Sequence, residues 1–419
     1  MAVSADQLAA ARAALAAALD GTGDPVELTE DGRVLPRPEA KDPARCGHPD
    51  AAAVVRTSGS TGTPKQIVLT AGALRASAAA TAARLGGASP ASPEASCSAK
   101  APGSSTAGTG HWLLAVSLHY VAGLAVLSRA IDAGTEVVPL PDGPFTATAF
   151  AQAAAQLPED GRPRLVSLVP TQVSRLLTAD ADPAGREALR RFDHVLVGGA
   201  RLAAPLRAAA EAAGVRLTAT YGMAETCGGC VYDGLPLPGL VPEVLDPDEE
   251  GVGRVRLAGP MVAAGYLDDP ARTAAHFSRA GSSPASLAAF LTEDLGRLIP
   301  DDGPRLAVTG RADDVVITGG VKVSAAAVQA VLEAEPDVAE VFVGAVEDPE
   351  WGQRLCAALV LPGGAQVWGA DMQRRLAVVV KKALGAPATP KTWLVLDALP
   401  LLSTGKPDRR TLTALFSAA

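Results

Sequence analysis

Apolar runs and alanine-rich runs alternate along the first half of the chain, from about residue 33 to residue 210. The runs VVRTSGS, ALRASAAATAARL, HWLLAVSLHYVAGLAVLSRAI and TEVVPL follow one another in this order. Further strands are expected at residues 164–170, 193–199 and 215–222, each ending in glycine, proline or polar residues. Short apolar strands that alternate with helical runs are typical of an α/β fold with parallel sheets. Ligands of such sheets usually bind where the strands end.

The pattern changes after Gly234. Segments such as GVGRVRLAGPMVAAGYL are short, β-rich and interrupted by glycine and proline, which predicts a small antiparallel sheet or β-barrel. Near Gly310 a hairpin-like DDVVITGGVKVS begins, and helical and strand-like runs follow it in an order typical of a compact α+β unit. We therefore predict a large α/β N-terminal domain of residues 1–311 and a small, mobile α+β domain of residues 312–419.

Two segments show no strand pattern: the N-terminus and residues 86–110. The N-terminal MAVSADQLAAARAALAAALDG has Asp6 where a secretory signal carries basic residues, and Arg12 interrupts its apolar run. We expect an amphipathic surface helix there. Residues 86–110 are rich in serine, alanine, proline and glycine and show no periodicity, so we expect a mobile surface loop.

The composition narrows the class of partner. The chain has 419 residues, of which 48% are hydrophobic and 20% charged, and its 45 acidic and 37 basic residues give a net charge of -8. Such a charge would not draw the protein to nucleic acid or to an anionic membrane. No apolar stretch reaches the roughly 18 residues that a membrane-spanning helix needs. We expect small-molecule partners and no membrane insertion.

The cysteines are few and odd in number: Cys46, Cys97, Cys227, Cys230 and Cys356. This usage favours a reducing, cytoplasmic compartment. The CGGC pair at positions 227 and 230 could be a redox dithiol or half of a zinc site. A second pair of metal ligands and a small thioredoxin-like context are both missing, so we interpret the pair as small residues in a glycine-rich turn.

The stretch TSGSTGTPK, directly after the apolar run AAAVV, carries the sharpest chemical signal. It combines hydroxyl donors, glycines that let backbone N–H groups approach a ligand, and one lysine, which is what a polyphosphate requires. Its lysine follows a proline and no helix-opening hydroxyl comes next, so it is not the GxxxxGK[ST] loop of kinases and GTPases. The candidate phosphate-binding residues are Thr57, Ser58, Gly59, Ser60, Thr61, Gly62 and Lys65.

TSGSTGTPK resembles the phosphate-loop signature of the adenylate-forming superfamily, which includes acyl-CoA synthetases, luciferases and nonribosomal adenylation domains. Other stretches resemble further motifs of that superfamily in the same order, so the resemblance covers about residues 56–410. It implies an enzyme that uses ATP and Mg²⁺ to convert a carboxylic acid to its acyl-AMP. The acyl group then passes to a thiol, for which the resemblance implies CoA.

The stretch TATYGMAET resembles the aromatic-Gly-x-x-Glu motif of this superfamily. The match implies that Tyr221, followed by Gly222, stacks on the adenine, and that Glu225 holds the Mg²⁺ that bridges the ATP phosphates. A flat π face and a hard oxygen ligand suit these roles. Gly199 and Ala200, in VLVGGARL, resemble the loop on which the purine lies.

Two further matches concern the ribose and the lysine. Asp294 in LTEDLGRL matches the aspartate that accepts both ribose hydroxyls, a natural role for a carboxylate. Glu293 stands where the superfamily usually has glycine, which leaves the local backbone geometry open. LPLLSTGKPDRR resembles the C-terminal PxxxxGK motif, so Lys406 is implied as the adenylation lysine that neutralises charge on the α-phosphate.

GRADDVVITGGVKVS resembles the interdomain hinge and the strand after it. By this match Arg311 contacts ribose or phosphate, and Asp313 is the hinge about which the C-terminal domain turns between the two half-reactions. Gly319 and Gly320 would line the passage of the pantetheine arm of CoA. Adjacent glycines beside a strand allow a ligand to approach the backbone closely.

The acid is indicated by residues 118–130 and 167–177, which resemble segments of the o-succinylbenzoate-CoA ligases of menaquinone biosynthesis. That acid has a second, non-reacting carboxylate that needs a cation, and Arg175 is one candidate. His119 is a candidate for closing the acyl pocket. Arg175 could instead be a surface cation, and His119 a hydrogen-bonded core residue.

Several alternatives stay open. The acid could be another aryl or short-chain acid. An amino-acid adenylation domain is less favoured, because that branch anchors the substrate ammonium with an aspartate where this chain has residues 119–123. A non-catalytic protein that binds nucleotide or acyl-adenylate is opposed by the presence of Lys65, Glu225 and Lys406, which we expect to converge on one triphosphate. A homodimer is also kept as a hypothesis.

Overall fold

The computed structural model of the protein describes residues 3–57, 64–86, 109–177, 182–280, 287–301, 303–401 and 407–419. The helices are α1 (Ala5–Leu19), α2 (Ala71–Gly86), α3 (Val121–Ala133), α4 (Ala147–Ala154), α5 (Pro170–Leu177), α6 (Pro183–Arg190), α7 (Ala204–Ala212), α8 (Pro270–His276), α9 (Ala325–Glu333), α10 (Ala370–Leu384) and α11 (Arg409–Ala418). None of these helices is long and apolar enough to span a membrane.

The first sheet contains the strands on either side of the TSGSTGTPK loop. Its strands are β1 (Val26–Leu28), β2 (Val34–Pro36), β3 (Ala51–Thr57), β4 (Lys65–Thr70) and β14 (Gly265–Tyr266), in the order β14-β4-β3-β1-β2. Only β1 and β3 pair in parallel; the other pairs are antiparallel. The expected parallel arrangement is therefore wrong for this sheet. Residues 58–64 are too few for the crossover of about a dozen residues that parallel neighbours need.

The second sheet has the predicted parallel core. Its strands are β5 (His111–Leu114), β6 (Val137–Pro139), β7 (Arg164–Leu168), β8 (His194–Val197), β9 (Leu217–Met223), β10 (Gly228–Tyr232) and β11 (Leu235–Pro236), in the order β11-β10-β9-β8-β7-β5-β6. The pairs from β6 to β9 are parallel, and β10 and β11 are antiparallel additions.

Both faces of the second sheet are covered by helices. Trp112 and Leu114 of β5 belong to the core that α1, α2 and α3 form with the first sheet. Leu113, between them, packs with Phe150 of α4 and Leu189 of α6 on the other face. Strands buried on both faces read as continuous apolar runs, as β5 and β8 do after their first residues.

The run HWLLAVSLHYVAGLAVLSRAI divides into β5 and α3. The turn between them, residues 115–120, carries His119 to the carboxyl end of β5. Gly123, in the first turn of α3, allows this close return, because an added Cβ would overlap the carbonyl oxygen of Ser117. The turn therefore places a polar segment at the edge of the sheet where ligands usually bind.

The third sheet confirms the predicted antiparallel unit after Gly234. Its strands are β12 (Val241–Leu245), β13 (Gly253–Ala258), β15 (Phe277–Ala280), β16 (Leu287–Asp301) and β17 (Gly303–Arg311). Their order is β12-β13-β16-β15, and β17 pairs with β16. All these pairs are antiparallel.

The smaller C-terminal domain has a fourth sheet and its own core. Its strands are β18 (Val315–Thr318), β19 (Val321–Ser324), β20 (Glu340–Asp348), β21 (Gly352–Val360) and β22 (Thr392–Val395). Leu332 of α9 and Leu376 of α10 pack with Leu355 on one side of the sheet. Phe416 of α11 packs with Phe342 on the opposite face of the sheet. The fold class expected from the sequence, a large α/β part followed by a small α+β part, is confirmed.

The N-terminal helix is also as predicted. Ser4 and Gln7 form a capping box in which each side chain accepts a hydrogen bond from the backbone of the other residue, and this fixes the start of α1. Leu8, Ala11 and Leu15 are buried, and their spacing of three and four residues gives one apolar face.

Candidate active site

The carboxyl ends of β5, β7, β8 and β9 meet at one edge of the second sheet, because these strands are parallel neighbours. The segments that leave these strands carry the turn with His119, the start of α5, the Gly199-Ala200 loop and Tyr221 at the end of β9. Four segments that lie far apart in the sequence therefore share one edge, which is the expected position of a ligand site in such a sheet.

Glu225 lies in a tight turn between β9 and β10, and its residue is 7% exposed. The Thr226 hydroxyl accepts a hydrogen bond from the Met223 backbone at 3.0 Å and donates to the Gly228 carbonyl at 2.8 Å. Gly222 must lack a side chain, because an added Cβ would overlap that same carbonyl oxygen. The chain therefore holds Glu225 by a rigid turn at the end of the sheet.

Lys65 and Glu225 meet at one aromatic ring. The Tyr266 hydroxyl donates a hydrogen bond to Glu225 Oε1 at 2.8 Å. Lys65 Nζ lies 5.5 Å from the centroid of the same ring. Burial raises the pKa of the Tyr266 hydroxyl above its ordinary value, and the negative charge of Glu225 raises it further. Tyr266 is thus a neutral donor, and it joins two of the charged residues that the sequence predicted would converge.

A second tyrosine and carboxylate pair involves Tyr221, four residues before Glu225. The Tyr221 hydroxyl donates to Asp294 Oδ2 at 2.6 Å. Burial raises the pKa of this hydroxyl, and the charge of Asp294 adds to the effect. Arg311 pairs with Asp294 in the register of β16 and β17, and its Nη1 lies 3.6 Å from Asp294 Oδ1. Three residues predicted to contact adenine, ribose and phosphate are therefore neighbours.

The departure from the superfamily pattern at Glu293 is accommodated by the strand. Side chains alternate between the two faces of β16, and Glu293 lies 3.3 Å from Arg254 and 3.8 Å from His276. The Thr292 hydroxyl donates to Val255 O at 2.8 Å and accepts from Asp294 N at 2.9 Å. Asp294 therefore keeps a defined position although its neighbour is not glycine.

The ends of the predicted phosphate loop are fixed as a hairpin. Thr57 and Lys65 are directly paired across β3 and β4. The other loop residues of this prediction lie outside the described residues: Ser58, Gly59, Ser60, Thr61 and Gly62. A partly buried network adjoins the hairpin, in which the Glu27 carboxylate of β1 accepts hydrogen bonds from Arg37 and from Arg56 of β3. These bonds attach β3 to β1, its parallel neighbour.

His119 and Arg175 occupy different environments near the sheet edge. The His119 ring is half-buried against Tyr120, with ring centroids 3.9 Å apart, and burial lowers the pKa of its imidazole. Arg175 is exposed on α5 and makes no hydrogen bond or ion pair with any residue in the described ranges. Gln172, one turn earlier, donates to the Ala115 carbonyl at 2.7 Å, so α5 is attached to the turn that carries His119.

The predicted hinge lies in a short 3₁₀ turn, Ala312–Asp314, after β17. The backbone of Asp313 is among the described residues, and its side chain is not. Arg409 pairs with Asp314 through both guanidinium nitrogens, with Nη2 at 2.7 Å from Oδ2. Lys406, the predicted adenylation lysine, also lies outside the described residues. The helix that follows it, α11, is thus attached to the turn that contains the predicted hinge.

Gly319 and Gly320 form the two-residue turn between β18 and β19. Both have positive φ angles, 57° and 78°, which a hairpin turn of this length favours. Gly319 N donates to the Trp351 carbonyl at 2.9 Å, and an added Cβ would come within 3.0 Å of the Trp351 ring. The turn is therefore exposed next to a large aromatic side chain.

The cysteine pair fits the structural interpretation. Cys227 and Cys230 are 0% and 1% exposed, and both are free thiols. Burial raises the pKa of each thiol to about 12, which leaves little of the reactive thiolate.

Sequence reasoning missed Tyr266 and Gln172. Tyr266 belongs to a two-residue strand, too short to show periodicity, and its partners lie 41 and 201 residues away in sequence, at Glu225 and Lys65. An isolated tyrosine in an apolar run near glycine was the only signal. Gln172 was visible only as one polar residue in VPTQVSRLL.

Comparison with known proteins gives the family. A family profile described as AMP-binding enzyme matches residues 2–267, and one described as AMP-binding enzyme C-terminal domain matches residues 327–406. A probable 2-succinylbenzoate-CoA ligase of Mycobacterium tuberculosis H37Rv is 39% identical, over 88% of this chain and 85% of its own length. The 2-succinylbenzoate-CoA ligase of Geobacillus kaustophilus is 29% identical, over 98% of this chain and 78% of its own length.

A solved structure is similar as well. It is the o-succinylbenzoate CoA synthetase of Bacillus subtilis in complex with the acyl-adenylate intermediate. The TM-score is 0.66 at 26% identity, and the match covers 86% of this chain and 69% of that chain. These matches confirm the resemblance that the motifs indicated. The chain belongs to the AMP-binding enzyme family.

Proposed function

We propose that the protein is an AMP-forming o-succinylbenzoate-CoA ligase of menaquinone biosynthesis. It activates the acid with ATP as an acyl-adenylate and transfers the acyl group to CoA. The observation that carries the proposal is the meeting of Lys65 and Glu225 at Tyr266, together with the Tyr221–Asp294 hydrogen bond. Relatives named 2-succinylbenzoate-CoA ligase, similar over most of the chain, support the choice of acid.

The nucleoside would occupy the edge formed by β8 and β9. In this proposal the Tyr221 ring stacks on the adenine, and the Gly199-Ala200 backbone lies against the purine. Asp294 accepts the ribose hydroxyls, since the two oxygens of a carboxylate can together accept about four hydrogen bonds. Arg311, which is next to Asp294, contacts ribose or phosphate.

Glu225 fits the binding of Mg²⁺ together with ATP. It is a buried carboxylate with one oxygen bonded to Tyr266. Among the described residues, no group of three or more histidine, cysteine, aspartate or glutamate side chains could hold a metal ion. Mg²⁺ in nucleotide sites is usually held by one or two carboxylates and by the phosphates. Bound there, the ion supplies charge neutralisation at the phosphates.

The remaining chemistry is positioning and charge stabilisation. Residues 57–65 are proposed to hold the β- and γ-phosphates through backbone N–H groups, hydroxyls and Lys65. Lys406 is proposed to neutralise the charge that develops on the α-phosphate as the acid carboxylate attacks and pyrophosphate leaves.

The acid would enter between the β5–α3 turn and α5. His119 is proposed to close the acyl pocket, which suits a half-buried imidazole whose pKa is lowered by burial. Arg175 is proposed to bind the second carboxylate of o-succinylbenzoate. Its guanidinium has no ion-pair partner within the described part of the chain, so it can pair with a ligand.

The second half-reaction would need a different arrangement of residues 312–419. We propose that this domain turns about Asp313, withdraws Lys406 and brings the Gly319-Gly320 turn to the acyl-adenylate. The CoA thiol then attacks the acyl carbonyl and AMP leaves. Such hinge motions between half-reactions are ordinary for domains joined by a short segment.

The test is CoA-dependent turnover across a panel of acids. Pyrophosphate release and acyl-CoA formation should be highest with o-succinylbenzoate and low with benzoate or a fatty acid. Turnover with benzoate or a fatty acid and none with o-succinylbenzoate would leave a CoA ligase for another acid. ATP binding without turnover on any acid would indicate a non-catalytic binding protein.

Arg175→Gln tests the pocket. Losing one charge-assisted contact to a ligand carboxylate costs about 1.5–3 kcal/mol, so the KM for o-succinylbenzoate should rise roughly 10-fold or more. The matched control is Arg186→Gln on the neighbouring α6, which should leave this KM unchanged. Equal KM values in the wild type and both variants would remove Arg175 from the proposal.

We also propose that the protein is cytoplasmic and that it forms a homodimer. The described cysteines, Cys46, Cys227, Cys230 and Cys356, are free thiols, which fits a reducing compartment. Cell fractionation would test the location. Light scattering on the purified protein would test the oligomeric state.

A further inference from the structure

Tyr266 lies on β14, which pairs with β4 in the first sheet. Tyr266 is directly opposite Ile67, and residues two apart on a strand project from the same face. Lys65 therefore shares its face of the sheet with the tyrosine ring, and its ammonium lies 5.5 Å from the ring centroid. Tyr266 is 1% exposed, one of the largest fully buried side chains of the described residues.

The backbone and ring of Tyr266 are fixed from several sides. Tyr266 N donates to the Thr273 hydroxyl at 3.0 Å, so the strand is attached to α8. The Phe277 ring packs edge-on, with centroids 5.3 Å apart at 77°. Arg272 lies 5.8 Å from the ring centroid. A side chain held in this way presents its hydroxyl at one fixed position.

That hydroxyl is directed at the residue proposed to hold Mg²⁺. It donates to Glu225 Oε1 at 2.8 Å, and both residues are buried. The bond occupies one oxygen of the carboxylate and fixes its orientation. No ion pair joins Lys65 to Glu225 among the contacts of the described residues. Each charge contacts Tyr266 instead, so neither is neutralised by the other.

We propose that Tyr266 is a positioning residue for the metal–triphosphate site. Its hydroxyl orients the Glu225 carboxylate toward the metal, and its ring supports the Lys65 ammonium beside the phosphates. The inference rests on the proposed function, because it needs Mg·ATP as the ligand. It adds a residue outside the motifs, contributed by the first sheet to a site at the edge of the second.

The experiment measures ATP binding by calorimetry with and without Mg²⁺. The variant Tyr266→Phe removes the hydroxyl and keeps the ring, so the contact with Lys65 remains. We expect the gain in ATP affinity that Mg²⁺ brings to shrink about 10-fold, roughly the effect of one hydrogen bond to a charged group. ATP affinity without Mg²⁺ should stay within about twofold of the wild type.

The matched control is Tyr232→Phe. Tyr232 is 2% exposed, and its hydroxyl lies 3.2 Å from the Thr81 hydroxyl, so this variant also removes a buried, hydrogen-bonded tyrosine hydroxyl. Thermal unfolding of both variants measures the purely structural cost. The expected result is a similar shift in Tm for both and a changed Mg²⁺ dependence for Tyr266→Phe alone.

Three results would overturn the inference. The first is an unchanged Mg²⁺ dependence in Tyr266→Phe. The second is an equal change in both variants. The third is a much larger fall in Tm for Tyr266→Phe together with loss of thioester formation from supplied acyl-AMP, because that step needs no triphosphate and its loss would mean that Tyr266 serves the fold. Failure of the wild type to bind Mg·ATP would instead overturn the proposed function.

Discussion

Replacing Asp294 by asparagine tests whether this carboxylate accepts the ribose hydroxyls. Asp294 is 8% exposed, accepts the Tyr221 hydroxyl at 2.6 Å and has Arg311 Nη1 at 3.6 Å. The amide of asparagine has nearly the same shape, so the strand and its packing should be kept. What changes is the charge and the number of acceptor positions, since the amide offers one acceptor oxygen and the carboxylate two.

The expected magnitude follows from these contacts. Asp294 Oδ2 accepts the Tyr221 hydroxyl and Oδ1 lies 3.6 Å from Arg311 Nη1, and the two oxygens of a carboxylate together can accept about four hydrogen bonds. A hydrogen bond to a charged group contributes about 1.5–3 kcal/mol net. Losing one such bond to the ribose should raise the Kd of ATP roughly 10- to 150-fold, because 1.4 kcal/mol corresponds to a factor of ten.

The assay compares ATP with 2′,3′-dideoxy-ATP by calorimetry. In the wild type the dideoxy nucleotide should bind more weakly, because it lacks the hydroxyls that the carboxylate accepts. In Asp294→Asn the two nucleotides should bind with nearly equal affinity. Glu293→Gln is the matched control, because Glu293 is adjacent in sequence but lies toward Arg254 and His276.

Two outcomes would refute the reasoning. If Asp294→Asn still preferred ATP over the dideoxy nucleotide as strongly as the wild type, the ribose would be bound elsewhere. If Glu293→Gln lost the preference instead, the two carboxylates would have exchanged roles. Weaker binding of both nucleotides by the same factor would also count against a ribose contact.

Three further predictions concern the C-terminal domain and the cysteines. Lys406→Ala should abolish adenylate formation and leave thioester formation from supplied acyl-AMP largely intact, measured as separate half-reactions; equal loss of both would contradict the proposed division. Phe416→Ala should cost about 3–5 kcal/mol of C-terminal domain stability in urea unfolding, while Leu415→Ala, 37% exposed, should cost less than about 1 kcal/mol. In the folded protein at pH 8, iodoacetamide should leave Cys227 and Cys230 unmodified, because burial raises the pKa of both thiols to about 12; rapid labelling would contradict this.

The sequence predicted the local chemistry better than the pairing of distant strands. The TSGSTGTPK stretch combines hydroxyl donors, glycines and a lysine, so Lys65 could be chosen from residue types, whereas Tyr221 and Glu225 were implied by the resemblance of TATYGMAET to a superfamily motif. The position of Tyr221 followed from parallel strands, whose carboxyl ends meet at one edge, whereas Lys65 comes from the first sheet. The first sheet was missed because its pairing depends on a short hairpin loop and on β14, about 200 residues further along the chain.

Two further features could not be predicted because they depend on contacts between residues that are distant in the sequence. Glu293 left the backbone at Asp294 in question, and only the strand alternation of β16 shows that its side chain points to Arg254. The tyrosine partners of Asp294 and Glu225 could not be predicted from the sequence either. The bond from Tyr221 to Asp294 spans 73 positions, and that from Tyr266 to Glu225 spans 41, beyond the reach of any local pattern.

The buried carboxylates of the protein have two different kinds of hydrogen-bond partner. Glu27, on β1 next to β3, is 6% exposed and accepts hydrogen bonds from the guanidinium groups of Arg37 and Arg56. Its charge is neutralised within the protein, so little attraction remains for a ligand. A buried ion pair of this kind serves the local structure, and removing one partner would leave an uncompensated charge.

Asp294 and Glu225 have a different kind of partner. Each accepts a hydrogen bond from a tyrosine hydroxyl, Tyr221 in one case and Tyr266 in the other. A neutral donor orients a carboxylate and compensates part of its desolvation, but it leaves the negative charge in place. Glu225 makes no ion pair within the described part of the chain, so a metal ion can bind there without first breaking one. Asp294 also has Arg311 Nη1 at 3.6 Å, a contact that bound ribose hydroxyls would share. The tyrosine hydroxyl donor, and not burial alone, therefore distinguishes the two carboxylates proposed to bind ligands from Glu27, which accepts from two guanidinium groups.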